Sequence, residues 1–324
     1  MNFIENIQKP IRNEMQQFSA SFTETLSTDN ELLVAINSYV INRKGKQLRP
    51  TLVLLTAALC GKINQKTIDG ALAIELLHTA SLIHDDIVDE TSERRGMPSV
   101  NAQWSNKVAV FAGDYMFSKS LFCATKTNDL RILEVISNIG KHLTDGELQQ
   151  LNNALDSRIS ETKYLHVIQN KTAELFAACA QVGGFSVGAS AEQLGLIRNF
   201  GIYLGVCFQI KDDIFDYSEN PSLGKPTGND LRDGKITLPL IYALKNSTDD
   251  KRVVIAEIIE RKDFTSGNIQ TILEFARENG GINYAAEVME SYKLRAIEQL
   301  NSFEPSEAKT ALIHCAEYAA LRNF

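Results

Sequence analysis

Apolar residues recur at intervals of three and four along almost the whole chain, and helix breakers are scarce, with 7 prolines and 19 glycines in 324 residues. That period belongs to α-helices with a buried stripe, and no alternating pattern competes with it. The predicted helices lie at about 11–27, 30–42, 49–61, 67–90, 104–126, 129–152, 160–187, 191–218, 237–245, 250–262, 267–278, 281–299 and 305–322. With no fixed-period repeat and no low-complexity linker, the expectation is a single all-α domain over residues 1–324. Two polar stretches containing Gly and Pro break the pattern, ETSERRGMPSV at 90–100 and SENPSLGKPTGNDLRDGKITL at 218–238. The second is long for a connection inside a compact domain, and such loops are more often lids than accidents.

Composition narrows the function classes. Lys and Arg number 33 against 40 Asp and Glu, a net charge of −7, and no basic run occurs. A nucleic-acid partner is therefore not expected, because phosphate contacts need clustered cations. Cys60, Cys123, Cys179, Cys207 and Cys315 form no CxxC pair and sit among apolar or small residues, which reads as buried thiols in a reducing compartment. The N-terminal MNFIENIQKPIRNEMQQF lacks an apolar core of the secretory kind. The best apolar run, TLVLLTAALC at 51–60, is about half the length a membrane span needs. A cytoplasmic protein is expected, with peripheral membrane contact at most.

The first feature that carries chemistry is LLHTASLIHDDIVDE, a DDxxD formed by Asp85, Asp86 and Asp89 at the end of a long apolar helix. At about 100° per residue the three carboxylates share a fan of roughly 100° on one helix face. Like charges so close call for cations, and carboxylate oxygens suit Mg²⁺ or Mn²⁺. A single cluster of this kind reads as readily as a solvated acidic helix end. The spacing recurs 127 residues later, however, in FQIKDDIFDY, with Asp212, Asp213 and Asp216. If the two helices face each other, six carboxylates make one multi-metal site, whose remaining ligands would come from a diphosphate or a similar polyanion. Basic residues stand where such an anion would want them: Arg94 and Arg95, Lys225 and Lys235, Lys46 and Arg49 in GKQLRP, and Lys171 in KTAELF.

These segments, together with RRGMPSVN, VFAGDYMFS and GELQQL, resemble in order those of the trans-isoprenyl diphosphate synthases, the polyprenyl synthetase family, from about residue 43 to 242. The resemblance implies an isoprenoid-synthase-type helical bundle around a deep central cavity, normally a homodimer. It also implies a prenyltransferase, an enzyme transferring alkyl groups other than methyl. In its reaction an allylic diphosphate, farnesyl diphosphate being the expected starter, ionises and the cation alkylates isopentenyl diphosphate. Carried over, Asp85, Asp86, Asp89, Asp212 and Asp213, with Asp216 as a further candidate, would hold about three Mg²⁺ ions on the allylic diphosphate. Arg94, Lys171, Lys225 and Lys235 would neutralise the same leaving group. Lys46, Arg49, His78 and Arg95 would bind isopentenyl diphosphate, and the oxygen dipoles of Thr172 and Gln209 would steady the carbocation. His84, His142, His166 and His314 keep a structural reading.

The sequence also departs from the family pattern. A doubled glycine followed by Lys and a second basic residue is usual near residue 45, whereas Lys44 and Gln47 fill the outer positions here. Arg322 matches the C-terminal basic residue of some members only weakly and is left outside the expected site. For product length, Ala80 and Ser81, five and four residues before Asp85, are small where short-chain members carry an aromatic, and Leu77 and Ile74 lie further down. A deeper floor could come from Leu133 or Ile136. A medium or long all-trans product of roughly six to ten isoprene units, for a quinone side chain, is expected, as in the medium- and long-chain members. The alternatives are a short-chain farnesyl or geranylgeranyl synthase, a class I terpene cyclase, a subunit of a two-component synthase, and a purely structural helical scaffold.

Overall fold

The computed structural model describes residues 3–43, 45–94, 96–153, 160–217, 228–247 and 250–322, without the side chains of 150–153. It is all-α. The helices are α1 (Phe3–Gln8), α2 (Arg12–Thr25), α3 (Glu31–Ile41), α4 (Leu48–Cys60), α5 (Gln65–Val88), α6 (Val100–Gln103), α7 (Asn106–Lys126), α8 (Leu130–Asn153), α9 (Glu161–Ile168) and α10 (Glu174–Ser186). They continue with α11 (Ala191–Asp216), α12 (Asn229–Arg232), α13 (Leu238–Asn246), α14 (Lys251–Glu260), α15 (Ser266–Glu278), α16 (Gly281–Gln299) and α17 (Glu307–Leu321).

The expected helices are present; the short α6 and α12 were not expected, and three further differences stand out. Helix α1, followed by a 3₁₀ turn at Lys9–Ile11, precedes the first predicted helix. The segment expected as one helix over 160–187 contains a π-helical stretch at Gln169–Ala173. The connection after the first aspartate motif holds a two-residue antiparallel ladder, β1 (Glu93–Arg94) with β2 (Met97–Pro98), too short to show a period. Of the loop expected at 218–238, residues 218–227 lie outside the described residues, and the following residues form α12.

Helix starts follow local chemistry. The Asn30 side chain accepts from Leu33 N at 3.1 Å, and Ser105 and Ser160 do the same for α7 and α9. Asn64 and Thr67 form a reciprocal capping box at the start of α5.

Two compact units are distinguished within the chain. The first comprises residues 1–140, 178–198 and 302–312. Its centre is α5, buried on nearly all sides from Thr67 to His78 and packed most extensively on α7, with α4, α2 and α6 also against it. A helix apolar all round is a central helix, and ALAIELL at 71–77 interrupts its apolar run with Glu75 alone. Close approaches rest on small residues: a Cβ on Gly183 would lie 2.1 Å from Thr56 Oγ1 and 2.4 Å from the Val53 carbonyl oxygen of α4.

The second unit comprises residues 141–177, 199–301 and 313–324, the last two of which are outside the described residues. Within it α13 packs on α15 and α16 around Leu238, Leu240, Ile272 and Phe275. Gly205 brings α11 against the π-helical stretch, where an added Cβ would meet Ala173 Cα at 2.5 Å.

Cys123, Cys179, Cys207 and Cys315 are buried and Cys60 is half-buried. Burial pushes the thiols up, to about 11 for Cys60 and Cys123 and about 12 for the other three, which suppresses the reactive thiolate. Among the described residues no helix is long and apolar enough to cross a membrane. Gly183→Ala should cost about 2 kcal/mol of unfolding free energy by chemical denaturation, since backbone rather than a flexible side chain blocks the added methyl.

Candidate active site

Each aspartate motif sits on the last turn of a long helix, Asp85 and Asp86 on α5 with Asp89 as its C-cap, and Asp212, Asp213 and Asp216 on α11. The helix dipole turns its negative end toward these positions, so dipole and mutual repulsion both oppose the carboxylates, and cations are needed to offset them.

In the first unit the chain answers with its own cation. The ladder of β1 and β2, turned at Gly96 with φ +75°, brings Arg94 back so that its Nε donates to Asp86 Oδ1 at 2.6 Å. Asp86 is only 3% exposed. Thr91 N donates to the Asp86 carbonyl at 2.9 Å, Ser99 Oγ to the Thr91 carbonyl at 2.6 Å, and Asn101 Nδ2 to both carbonyls. The polar composition of ETSERRGMPSVN is thus spent on fixing this return. Asp85 is half-buried and Asp89 exposed.

Beside this pair lies a cavity of about 80 Å³. Glu75, His78, Thr79, Leu82, Ile83 and Asp86 of α5 form one wall, and Arg43, Gly45, Gln47 and Arg94 contribute from neighbouring segments. Of the residues expected to bind isopentenyl diphosphate, His78 is here. Lys46 is exposed and Arg49 half-buried, and neither is among the lining residues. Arg95 lies outside the described residues. Arg43 was not expected; it lies two residues before the GKQLRP motif, whose pattern gave no reason to look there.

The second triad is organised by hydrogen bonds within its own unit. Asp213, 3% exposed, accepts from Tyr164 OH at 2.5 Å and from Gln209 Nε2 at 2.9 Å. Gln209 Oε1 in turn accepts from Thr172 Oγ1 at 2.8 Å, so the two expected oxygen dipoles are joined in a chain that ends on Asp213. The close approach at Gly205 and the wider π turn at 169–173 place them together, and π turns recur at functional sites. Asp216 accepts from Asn229 N at 2.9 Å and Asp230 N at 3.0 Å, which anchors the start of α12. Asp212 Oδ1 pairs with Arg322 at 2.7 Å, and that guanidinium lies 3.6 Å from the Phe208 ring centroid. Arg322, left out of the expected site, is thus paired with one of its expected residues; only the fold brings it to a residue 110 positions away. Lys171 pairs with Glu147, and Lys235 with Asp233 at 3.0 Å. Lys225 lies outside the described residues.

For product length, Ala80 is 3% exposed and shares a face of α5 with Ala73 and His84, which meet Ser120 and Val110 of α7. Ser81 is half-buried and its hydroxyl donates to the His78 carbonyl. Leu77 and Ile74 are buried below.

The polyprenyl synthetase family model matches residues 30–276 of this chain. The chain belongs to the polyprenyl synthetase family. It is 34% identical over 322 residues to the octaprenyl diphosphate synthase of Haemophilus influenzae, covering 99% of this chain and 98% of that one. A polyprenyl synthase from Caulobacter crescentus, solved with calcium and isoprenyl diphosphate, superposes with a TM-score of 0.92 at 30% identity over 98% of both chains. A geranylgeranyl pyrophosphate synthase from Bacteroides thetaiotaomicron gives 0.86 at 40% identity, over 99% of this chain and 100% of that one. The protein is accordingly a prenyltransferase with the all-α fold of that family.

The donor set of this polyprenyl synthetase fits divalent metal: hard carboxylate oxygens, two of them one helical turn apart in each triad. Among the described residues no three His, Cys, Asp or Glu side chains stand together so as to hold a metal ion on their own. Burial pushes Asp213 up to about 8, with Asp230 adding repulsion, and pushes Asp230 up to about 6, with Asp216 adding to it. Asp86 and Asp216 are also raised by burial, against Arg94 in one case and two backbone N–H groups in the other.

A carboxyl raised in the folded state holds a proton that the unfolded chain has lost. Asp213 therefore contributes a stability that is fully present below the unfolded value, about 4, and is lost as pH rises toward about 8. The melting temperature of metal-free protein should fall across that window, and Asp213→Asn should flatten the upper part of the decline. An unchanged slope in the variant would contradict the assignment.

Proposed function

We propose that this chain condenses isopentenyl diphosphate head to tail with an allylic diphosphate, farnesyl diphosphate being the preferred starter, and stops at a medium or long all-trans product of roughly six to ten isoprene units for a quinone side chain. The observation that carries the reading is a family match that includes two intact DDxxD triads, each on the last turn of a long helix. Asp85, Asp86, Asp89, Asp212 and Asp213 hold about three Mg²⁺, with Mn²⁺ an acceptable substitute, and Asp216 serves mainly to anchor α12. When bound, the metals draw charge from the departing diphosphate.

The chain's own residues do the rest. Arg94, Lys171, Lys225 and Lys235 neutralise the leaving group, whose charge grows as the allylic bond breaks, so they favour the transition state over the ground state. His78, Lys46, Arg49 and Arg95 bind isopentenyl diphosphate. The Thr172 to Gln209 to Asp213 chain holds oxygen dipoles in a fixed orientation for the carbocation. The departed diphosphate takes the proton. A homodimer is part of the reading, supported by Val110, Phe111, Phe117 and Phe122, which leave one face of α7 exposed and apolar.

The small Ala80 and Ser81 support a long product. A second reading, a four-unit geranylgeranyl product, draws on the name of the 40% identical Bacteroides enzyme. Incubating the protein with Mg²⁺, farnesyl diphosphate and labelled isopentenyl diphosphate, then sizing the dephosphorylated products, separates them. A ladder ending in one long polyprenol is expected. A stop at four units favours the second reading, and cyclic hydrocarbon, or no product until another protein is added, overturns both.

In the same assay Asp85→Ala and Asp212→Ala should lose about 10³-fold in turnover with an unchanged far-ultraviolet spectrum. Ala80→Tyr should shorten the product, because the ring would intrude where α5 meets α7; an unchanged length would place the floor elsewhere.

A further inference from the structure

Asp213 is held at both of its oxygens. Oδ2 accepts from Tyr164 OH at 2.5 Å and Oδ1 from Gln209 Nε2 at 2.9 Å. The two donors differ in origin. Gln209 stands one turn before Asp213 on the same helix, α11, whereas Tyr164, 4% exposed, reaches across from α9. The start of α9 is itself braced. Ser160 Oγ accepts from Lys163 N at 3.3 Å, and Glu161 accepts from Tyr284 OH of α16 at 3.0 Å on one oxygen and 2.9 Å on the other. The Tyr284 ring stacks on that of Tyr242 in α13, with centroids 4.1 Å and planes 17° apart. Glu161 and Tyr164, three residues apart, stand on one side of α9, so the brace bears on the same flank that carries the phenol.

We propose that Tyr164 is a positioning residue for the divalent metal: braced through Glu161 by Tyr284, it holds Asp213 in the orientation in which that carboxylate meets the metal. The proposal rests on the function given above and deepens it. A carboxylate with one donor can still turn about its Cβ–Cγ bond. A second donor from a different helix removes that freedom, and the lone pairs that Tyr164 and Gln209 leave on Asp213 then keep one direction. Tyrosine suits the task because its hydroxyl sits at the end of a rigid ring, so a buried ring fixes where the O–H is presented. Hydrogen-bond partners of metal-ligating carboxylates commonly carry about 10- to 100-fold in metal affinity, although they touch neither metal nor substrate. Replacing Tyr164 by phenylalanine removes the hydroxyl and keeps the ring, which separates this contact from packing.

The test uses the full chain as Tyr164→Phe, Tyr284→Phe, Asp213→Ala and the double variant Tyr164→Phe with Asp213→Ala. Mn²⁺ alone is titrated into each, with the unbound ion followed by its paramagnetic resonance, and turnover is measured against Mg²⁺ at saturating isopentenyl and farnesyl diphosphate. Tyr164→Phe should weaken Mn²⁺ binding about tenfold and shift the Mg²⁺ dependence of turnover by about the same factor. Excess Mg²⁺ should recover most of kcat, and KM for isopentenyl diphosphate should stay within about twofold. Tyr284→Phe, one contact further away, should shift both titrations in the same direction by about threefold. On the Asp213→Ala background, loss of the Tyr164 hydroxyl should add less than about twofold, because a residue that acts through another then has nothing to act on. Unchanged Mn²⁺ affinity and Mg²⁺ dependence in folded Tyr164→Phe would overturn the proposal, as would a loss that adds in full on Asp213→Ala. If Tyr164→Phe does not fold, Tyr284→Phe decides in its place, and an unshifted Mn²⁺ titration there overturns the proposal. Absence of any condensation by the unaltered chain would instead overturn the function, while the Mn²⁺ titrations still decide whether Tyr164 positions a metal ligand.

Discussion

Three carboxylates at the negative end of a helix dipole are an unfavourable arrangement, and this chain contains it twice, at the ends of α5 and α11. Much else in the two units can be understood as a response to that cost. At α5 the response is a ladder of two residues per strand that turns Arg94 onto Asp86. At α11 it is a set of separate partners: Arg322 for Asp212, Tyr164 and Gln209 for Asp213, and two backbone N–H groups for Asp216. The three aspartates of one motif thus have different work. Asp212 meets a guanidinium stacked on Phe208, Asp213 is held in a buried network, and Asp216 ties down the next segment of chain.

Rigidity around the second triad comes from packing that tolerates no extra atoms. Gly205 lets α11 touch the π turn, and that contact sets the distance between Gln209 and Thr172. Preorganised dipoles stabilise developing charge without reorganising, and a network assembled on backbone contact is well suited to that. The first triad is held differently, by side chains of the connection after it, so its geometry depends on Ser99 and Asn101 as much as on the helix.

The helices and both triads were legible in the sequence because their signals are local. Periodicity marks a buried stripe, and i, i+1, i+4 spacing marks one helix face, whatever the rest of the chain does. The two-residue ladder was not legible, since alternation cannot show in so few residues. Arg322 and Arg43 were missed for another reason: one reaches its partner across 110 residues, and the other stands outside the motif that drew attention to its neighbours. The joining of Thr172 and Gln209 into one chain also depends on tertiary contact, although both residues had been singled out for their chemistry.

The π turn at Gln169–Ala173 bears on how such a site can arise. A π turn is the trace left when one residue is added to an α-helix without disturbing its ends, since five residues then close a turn that four would close otherwise. Between Tyr164 before it and Lys171 and Thr172 within it, the register of this helix differs from that of a regular one by a single position. The alignment of Tyr164 with Asp213 and of Thr172 with Gln209 on the same neighbouring helix therefore depends on one codon's worth of chain length. Evolution could gain or lose that alignment in one insertion or deletion while every loop kept its length.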